Sequence, residues 1–303
     1  MLHPSFGPGG DALASPPQSL HVLGQTETRV SSPFFELQRP VRQAPVLVEV
    51  PHSGLAVPER VRPQMRAPLD GIMRDADIYV DKLYADAPAH GATMLTALAS
   101  RYVVDLNRAP DDVDLQTVPD HPAPRGVQPR GVVWRMTTDG RSLLRRPLTY
   151  AQLQDRLEHF HRPSHEALRR ELTRLRARFG YAILIAAHSM PSVGRSLGTD
   201  RAVRRADVVP GTRGGSTAAR PLIELVDAHF RQSGLSVRHD DPYRGGYSTT
   251  HYGRPREGWH AVQIELNRAL YVDEATSEPK SGDFEALQAV LARLVARVAT
   301  LRL

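Results

Sequence analysis

The sequence contains no cysteine, and aromatic residues make up 6% of it. Without cysteine the protein has no disulfide, no cysteine–zinc site and no thiol nucleophile, so a bound metal needs histidine, aspartate or glutamate ligands. No apolar run reaches membrane-spanning length, and the N-terminus lacks a charged segment followed by an apolar one. These absences predict a cytoplasmic protein with no membrane partner.

Lysine is scarce and arginine supplies most of the positive charge. The 39 basic residues exceed the 33 acidic ones, which gives a net charge of +6. Such a balance fits either nucleic acid or an anionic small molecule as the partner. The arginines are scattered rather than interleaved with aromatic residues, so we expect no nucleic-acid partner and a largely solvated arginine surface.

The order of predicted elements indicates the fold class. Residues 1–35 are rich in proline, glycine and serine, which predicts a disordered or loosely attached arm ahead of one domain, residues 36–303. Strands and helices then alternate. The predicted strands are 45–50, 93–97, 100–108, 181–187, 235–238 and 261–266, and the predicted helices are 69–87, 148–179, 217–232 and 283–301. This alternation predicts a single three-layer α/β/α domain.

Polar residues stand at or inside the ends of the apolar strands. The runs 45–50 and 181–187 are followed by His52 and His188, and Glu265 lies inside the run 261–266. A lone histidine at a strand end is more often a core residue bonded to a backbone carbonyl. The repetition favours function, because ligands collect beyond the carboxyl ends of strands in open α/β sheets. Burial of Glu265 would raise its pKa and suit it to proton transfer.

Two histidines and one carboxylate form a common catalytic zinc set. Asp77 lies between the apolar residues Ala76 and Ile78 in the predicted helix 69–87, so it is harder to place on a solvated face than its neighbours. The ligand spacing is long and contains no HExxH motif, so the pattern alone is weak evidence for a metal.

The segment 100–108 carries Arg101, Asp105, Asn107 and Arg108 among apolar residues. Charges at that density in a strand are costly unless they are paired or face a site. The segment is therefore either an edge strand with salt bridges or an anion-binding wall, because arginine offers a forked donor to carboxylates.

Six motifs in this order resemble the N-formylglutamate amidohydrolase (N-formylglutamate deformylase) family. They are VEVPHSG at 48–54, DADIYVDKLY at 75–84, SRYVVDLNR at 100–108, AHSMPS at 187–192, GGYSTTHYGRP at 245–255 and HAVQIELNRALYVDE at 260–274. That family is similar in fold to the zinc carboxypeptidases and aspartoacylases. The resemblance implies a mixed central sheet between helices, a zinc-carboxypeptidase-like (phosphorylase/hydrolase-like) fold.

The resemblance also implies residue roles and one zinc ion per chain. The implied roles are metal binding by His52, Asp77 and His188, catalysis by Glu265 and Arg101, and substrate binding by Asn107, Arg108, Arg244 and His251. Leu55 stands where zinc carboxypeptidases carry a ligand glutamate three residues after the first histidine. A more distant carboxylate is therefore needed, and Asp75 remains an alternative to Asp77.

The implied activity is metal-dependent hydrolysis of an N-acyl acidic amino acid, most directly N-formyl-L-glutamate to formate and L-glutamate, as in histidine degradation. The partner is then a small anionic substrate. Two alternatives remain open: a related deacylase or carboxypeptidase acting on another N-acyl amino acid or peptide, and a basic nucleic-acid-binding protein with a structural His/Asp cluster. The sequence leaves the oligomeric state open.

Overall fold

The computed structural model describes residues 20–23, 27–66, 69, 71–195 and 202–303. Its strands are β1 (Leu20–Leu23), β2 (Glu27–Ser31), β3 (Phe35–Pro40), β4 (Val46–Val50), β5 (Thr93–Ala97), β6 (Ala182–Met190), β7 (Val193–Arg195), β8 (Ala202–Arg204), β9 (Val208–Gly211) and β10 (Trp259–Asn267). Its α-helices are α1 (Ile72–Asp75), α2 (Val80–Leu83), α3 (Tyr150–Arg156), α4 (Arg162–Phe179), α5 (Arg220–Gln232), α6 (Tyr247–Tyr252) and α7 (Asp283–Thr300). Short 3-10 turns cover Arg62–Gln64, Pro88–His90, Pro255–Glu257 and Arg268–Leu270, and a π-helical segment, Leu157–His161, joins α3 to α4.

Eight strands form one mixed sheet in the order β1-β2-β3-β5-β4-β6-β10-β9. The four central strands, β5, β4, β6 and β10, run parallel, and antiparallel strands extend the sheet on both sides. Strands β7 and β8 pair separately. The parallel strands end at one edge, so the residues at their carboxyl ends are brought close together.

The sheet is covered by helices on both faces. Residues of β4, β6 and β10 are buried throughout, as expected for parallel strands covered on both sides. Alternate residues such as Ile183 and Ile185 join a core with α2, α5 and α7, whereas Leu184 and Ala261 pack with α4. The predicted three-layer α/β/α arrangement is confirmed. Within the described ranges no helix is both long enough and apolar enough to cross a bilayer.

The N-terminal edge of the sheet begins earlier than expected. We predicted a loose arm over residues 1–35, but β2 pairs with β3 along its length and β1 pairs with β2. The segment is held by backbone ladder bonds, which do not require the apolar runs that the prediction relied on. Residues 1–19 lie outside the described residues, so the arm stays a prediction there.

The predicted helix 69–87 is broken into α1 and α2 (residue 70 lies outside the described residues). Ala76 is extended and Tyr79 has a left-handed φ of 62°. The amide of Asp77 donates to the carbonyl of His52, and Arg268 donates to the carbonyls of Arg74 and Ala76. Tertiary hydrogen bonds therefore replace the helical ones, and Asp77 lies in the break.

The predicted strand 100–108 is wrong, because this segment consists of turns. Side chains capture its amides locally: Ser100 Oγ accepts from the amide of Tyr102, and Asp105 Oδ1 accepts from that of Asn107. Such local bonds compete with ladder bonds and favour turns. The predicted strand 235–238 is likewise reduced to one isolated bridge, at Val237.

The helical block predicted at 148–179 is continuous. A capping box at Thr149 begins it: the Thr149 hydroxyl accepts from the amide of Gln152, and the Gln152 side chain accepts from the amide of Thr149. Pro163 is the second residue of α4 and lies in its first turn, just after the π-helical segment. The wider π turn accommodates a residue that lacks an amide proton and whose ring would clash with the preceding turn.

Candidate metal centre and active site

Three buried side chains meet at the carboxyl edge of the parallel strands. His52 follows β4, His188 lies near the end of β6, and Asp77 reaches them from the break between α1 and α2. Asp77 Oδ2 lies 3.3 Å from His52 Nδ1 and 2.9 Å from His188 Nδ1. The three potential ligand atoms lie within 4.8 Å of one another, so this group could hold a metal ion.

The structure distinguishes between the two candidate carboxylates. Asp75 points to a different set of partners: it accepts from the Tyr102 hydroxyl at 2.7 Å and from the amide of Thr138 at 3.0 Å, and it also accepts from the Thr138 hydroxyl. Asp77, two residues on, lies between the histidines. The extended backbone at Ala76 separates the two directions.

Asp105 orients His52, a role that the sequence did not reveal. Its Oδ1 lies 2.8 Å from His52 Nε2. A carboxylate accepts, so Nε2 carries the proton and Nδ1 offers its lone pair on the side of Asp77. Asp105 also accepts from the Trp134 indole at 3.0 Å and from Arg101 at 2.7 Å. Burial opposes ionisation of Asp105, but the charge of Arg101 and the bond to His52 outweigh it and hold its pKa well below the usual range.

Two arginines balance the buried acidic groups. Arg268 Nη2 lies 3.5 Å from Asp77 Oδ1, and Arg101 Nη1 lies 3.9 Å from the same oxygen. Burial would raise the pKa of Asp77, yet its close contacts with His188 and His52 outweigh burial and hold that pKa well below the usual range. Asp77 is therefore a carboxylate, the form that binds metal. Nothing in the sequence pattern distinguished Arg268 from the surface arginines.

Glu265 is buried beside the three-residue group. It lies on β10 directly opposite His188 on β6, and the Gln263 side chain donates to its Oε1 at 2.8 Å. Burial raises the pKa of Glu265 to about 7, a value suited to exchange of protons near neutral pH. The prediction that this carboxyl lies at the site and not in water agrees with its 6% exposure.

A cavity of about 1230 Å³ opens over these groups. Its wall includes the predicted residues Arg101, Asn107, Arg108 and Arg244. Two further arginines, Arg130 from the long excursion after the 100–108 segment and Arg205 from the residues after β8, also line it. The sequence analysis missed both, since each lies in an irregular segment without periodicity. Several forked cations around one cavity favour an anionic ligand.

The side chain of Asn107 is held firmly in the cavity wall. Its amide nitrogen lies 3.1 Å from Gln263 Oε1 and 3.2 Å from His188 Nε2, and its oxygen accepts from the amide of Ser248 at 3.1 Å. A Cβ on Gly246 would lie 2.3 Å from this amide nitrogen, so a glycine is required there for the close approach.

The structure does not bring His251 to the site. His251, for which the family resemblance implied substrate binding, lies in helix α6. His251 is exposed and stacks on Tyr247, one helical turn earlier, with ring centroids 4.9 Å apart. Among the described residues that line the cavity, His251 is absent. The substrate contact expected of His251 therefore has no support from the cavity lining and stays a prediction.

The donor set fits a zinc ion. Two neutral histidine nitrogens and one carboxylate oxygen are the ligand types of catalytic zinc sites, and a second carboxylate behind one histidine is a typical supporting group. Glu265 stands apart from this set as a group with an elevated pKa. The arrangement can therefore combine a Lewis acid, a proton carrier and anion-binding arginines in one cavity.

Comparisons with known proteins identify the family of this chain. The family model described as N-formylglutamate amidohydrolase matches residues 44–272. An N-formylglutamate deformylase from Pseudomonas aeruginosa is 34% identical over 261 residues, which cover 84% of this chain and 92% of that protein. The enzyme of the same name from Pseudomonas putida is 34% identical over 239 residues, which cover 76% of this chain and 82% of that protein.

A solved structure is also similar. The N-formylglutamate amidohydrolase from Ralstonia eutropha JMP134 superposes with a TM-score of 0.76 at 32% identity, covering 88% of this chain and 97% of that one. The family match spans most of the chain, and the similarity extends through every element that carries the site. The chain belongs to the N-formylglutamate amidohydrolase family.

Proposed function

We propose that this protein hydrolyses the formyl amide of N-formyl-L-glutamate, giving formate and L-glutamate, with one zinc ion held by His52, Asp77 and His188. The observation that carries the proposal is the buried His-Asp-His group beside Glu265, under an arginine-lined cavity, in a member of this family. As the family resemblance implies, we assign this reaction to histidine degradation.

Zinc, when bound, supplies a Lewis acid that polarises the amide carbonyl and lowers the pKa of water. The chain supports the ligand set through Asp105, which fixes the tautomer of His52, and through Arg268, which donates to the carbonyls of Arg74 and Ala76 directly ahead of Asp77. His52 and Asp77 therefore each have a partner that sets their direction, and a preorganised set binds metal more tightly than a mobile one.

Glu265 carries the proton. As a carboxylate it accepts a proton from the water that attacks the formyl carbon, and it then passes this proton to the nitrogen as the carbon–nitrogen bond breaks. Its burial keeps the carboxyl away from bulk water, and the bond from Gln263 fixes one oxygen. A pKa near 7 allows both the acceptance and the return of the proton.

The arginines stabilise negative charge at two places. Arg101 lies beside the ligand group, with Nη1 3.9 Å from Asp77 Oδ1, and offers its guanidinium to the oxygen that becomes negative during attack. Asn107, Arg108 and Arg244 in the cavity wall bind the carboxylates of the substrate. Such contacts exist before and during the reaction, so they lower KM more than they raise kcat.

The test is a substrate panel with metal control. The purified protein is assayed on N-formyl-L-glutamate, N-acetyl-L-glutamate and peptidyl-L-glutamate, before and after chelation. We expect the highest kcat/KM on the formyl compound, loss of activity with chelator, and recovery on addition of zinc. A preference for the acetyl or peptidyl compound would instead identify a related deacylase or carboxypeptidase, and full activity in chelator would refute the metal-dependent mechanism.

A further inference from the structure

Two histidines of the long helical block touch the main chain on either side of Asn107. His161 ends the π-helical segment and lies with its Nε2 2.9 Å from the carbonyl oxygen of Arg108. His165, one turn later in α4, lies with its Nε2 2.9 Å from the carbonyl oxygen of Leu106. The two rings are adjacent, with centroids 4.3 Å apart.

The chemistry fixes the direction of both bonds. A carbonyl oxygen can only accept, so each Nε2 carries a proton and donates. Burial lowers the pKa of His165 to about 3 and also lowers that of His161, so both rings are neutral near pH 7. The unprotonated Nδ1 of His165 lies 3.1 Å from the hydroxyl of Tyr252, whose ring stacks on the histidine. The Leu106 carbonyl thus fixes the tautomer of His165, and the Tyr252 hydroxyl, which also donates to the carbonyl of His165 at 3.2 Å, faces the other ring nitrogen.

A third contact completes the support of this segment. The carbonyl of Asn107 itself accepts from the amide of Tyr247, at the start of α6, at 3.1 Å. Three consecutive carbonyls, those of Leu106, Asn107 and Arg108, are therefore bonded to groups from outside the segment. This matters because the segment is a turn without ladder bonds, which would otherwise have greater freedom.

The helix is built so that both histidines reach the turn. Pro163 falls between them and donates no hydrogen bond, and the π segment that precedes it widens the helix by one residue per turn. His161 and His165 are four residues apart, so they lie on one face of the helix. A π turn is often found at functional sites, and here it coincides with the first of the two contacts.

We infer that His161 and His165 are positioning residues for substrate binding: they hold the main chain of residues 106–108 so that Asn107 and Arg108 present their side chains to the substrate carboxylates. The inference rests on the proposed function for the identity of the bound groups. It assigns the two histidines no contact with the substrate and no part in proton transfer.

The test compares variants that lose or keep the donor. His165→Leu removes the N–H, whereas His165→Gln retains an amide N–H that can reach the same carbonyl; His161→Leu and His161→Gln form the second pair. We expect each leucine variant to raise KM for N-formyl-L-glutamate about 5- to 10-fold with little change in kcat, since one buried hydrogen bond is lost. The inhibition constant of the product L-glutamate should rise in parallel, and the glutamine variants should recover most of the loss.

His159→Leu is the matched control. His159 is exposed on the same π segment, and its ring bonds to the carbonyl of Asp155 inside the helix. Its loss should leave KM at the wild-type value. If His165→Leu and His161→Leu raise KM no more than His159→Leu does, or if the glutamine variants are as impaired as the leucine variants, the inference is wrong.

Hydrogen exchange separates this inference from the proposed function. The amides of residues 106–109 should exchange faster in the leucine variants than in the wild type, whether or not the protein hydrolyses N-formyl-L-glutamate. If the wild-type protein is inactive and exchange is nevertheless faster in the variants, the proposed function is wrong, but the two histidines still hold this segment in place. Unchanged exchange in both leucine variants would refute the positioning role directly.

Discussion

Two buried glutamates lie on either side of strand β6 and differ in what they face. Glu49 lies on β4 opposite Ala186, and Glu265 lies on β10 opposite His188. Burial raises the pKa of each carboxyl to about 7. Glu265 lines the cavity, whereas Glu49 lies under α6 and accepts a hydrogen bond from the Ser248 hydroxyl at 3.0 Å.

An elevated pKa does not by itself identify a catalytic acid or base. Both values arise mainly from burial, so they report the environment of the group and not its task. In the described part of the chain, Oε2 of Glu49 has no hydrogen-bond partner. An ionised Glu49 would therefore leave a charge unsatisfied, which favours a neutral, structural group. Access to the cavity distinguishes Glu265.

The largest expected difference is in kcat. Glu265→Gln keeps the shape of the side chain but removes the proton acceptor, so we expect kcat on N-formyl-L-glutamate to fall by about 100- to 10,000-fold. Glu49→Gln should leave kcat near the wild-type value, because this group does not meet the substrate. Zinc content and folding should be unchanged in both. Comparable losses in the two variants would show that cavity access is not the deciding feature.

The second expected effect is on stability, and here the substitution of Glu49 is the one that matters. The pKa of Glu49 is about 7 in the folded protein against an ordinary value of 4.5, so folding favours the protonated form. The stability associated with that form is complete below pH 4.5 and is lost as the pH rises through 7, by up to about 3 kcal/mol. Glu49→Gln is neutral at every pH. The free energy of unfolding, measured with a chemical denaturant, should therefore rise in the variant relative to the wild type between pH 5 and pH 8.5.

That comparison includes its own control. Glu265 contributes the same kind of pH dependence to the wild type and to Glu49→Gln, so it cancels in the difference between them. A stability difference that is equal at pH 5 and pH 8.5 would mean that Glu49 ionises normally in the folded protein, and the contrast between the two sides of β6 would need another explanation.

The smallest effect is in the pH profile of activity. Glu265 must be ionised to accept a proton, so kcat/KM should fall about tenfold for each pH unit below its pKa. A bound cation lowers that pKa, so the midpoint of the acid limb should lie at or below about 7. Glu49→Gln should keep this limb. The measurement is kcat/KM from pH 4.5 to 8.5. An acid limb that is shifted or lost in Glu49→Gln would contradict the assignment of Glu265 as the proton acceptor and of Glu49 as a structural group.

Much of the sheet could be predicted from sequence because its central strands are apolar throughout. Runs that end at His52 and His188 indicated both the strands and their shared edge, and an acidic residue inside an apolar run indicated Glu265. These are local patterns, and the buried parallel strands fix where each run ends in space. The side chains that stand at strand ends were therefore accessible to sequence reasoning.

The supporting groups were not accessible, because their partners are distant in sequence. Asp105 is 53 residues from His52, and nothing near it indicates that pairing. The helical periodicity of 69–87 predicted one helix, whereas tertiary hydrogen bonds from Arg268 break it at Asp77. The sequence indicates only that His165 lies in a helix, although its side chain donates to a carbonyl 59 residues away in the chain. At each of these places tertiary hydrogen bonds override the secondary-structure propensity of the local sequence.

The central claim, that His52, Asp77 and His188 hold a catalytic metal, is tested most directly by the zinc content of two neighbouring aspartate variants. Asp77→Asn removes a ligand, whereas Asp75→Asn alters a carboxylate that bonds to Tyr102 and Thr138. Elemental analysis should find about one zinc per chain in the wild type and in Asp75→Asn, and loss of zinc in Asp77→Asn. Zinc retained by Asp77→Asn but lost from Asp75→Asn, or a zinc-free wild type that is fully active in chelator, would contradict the account.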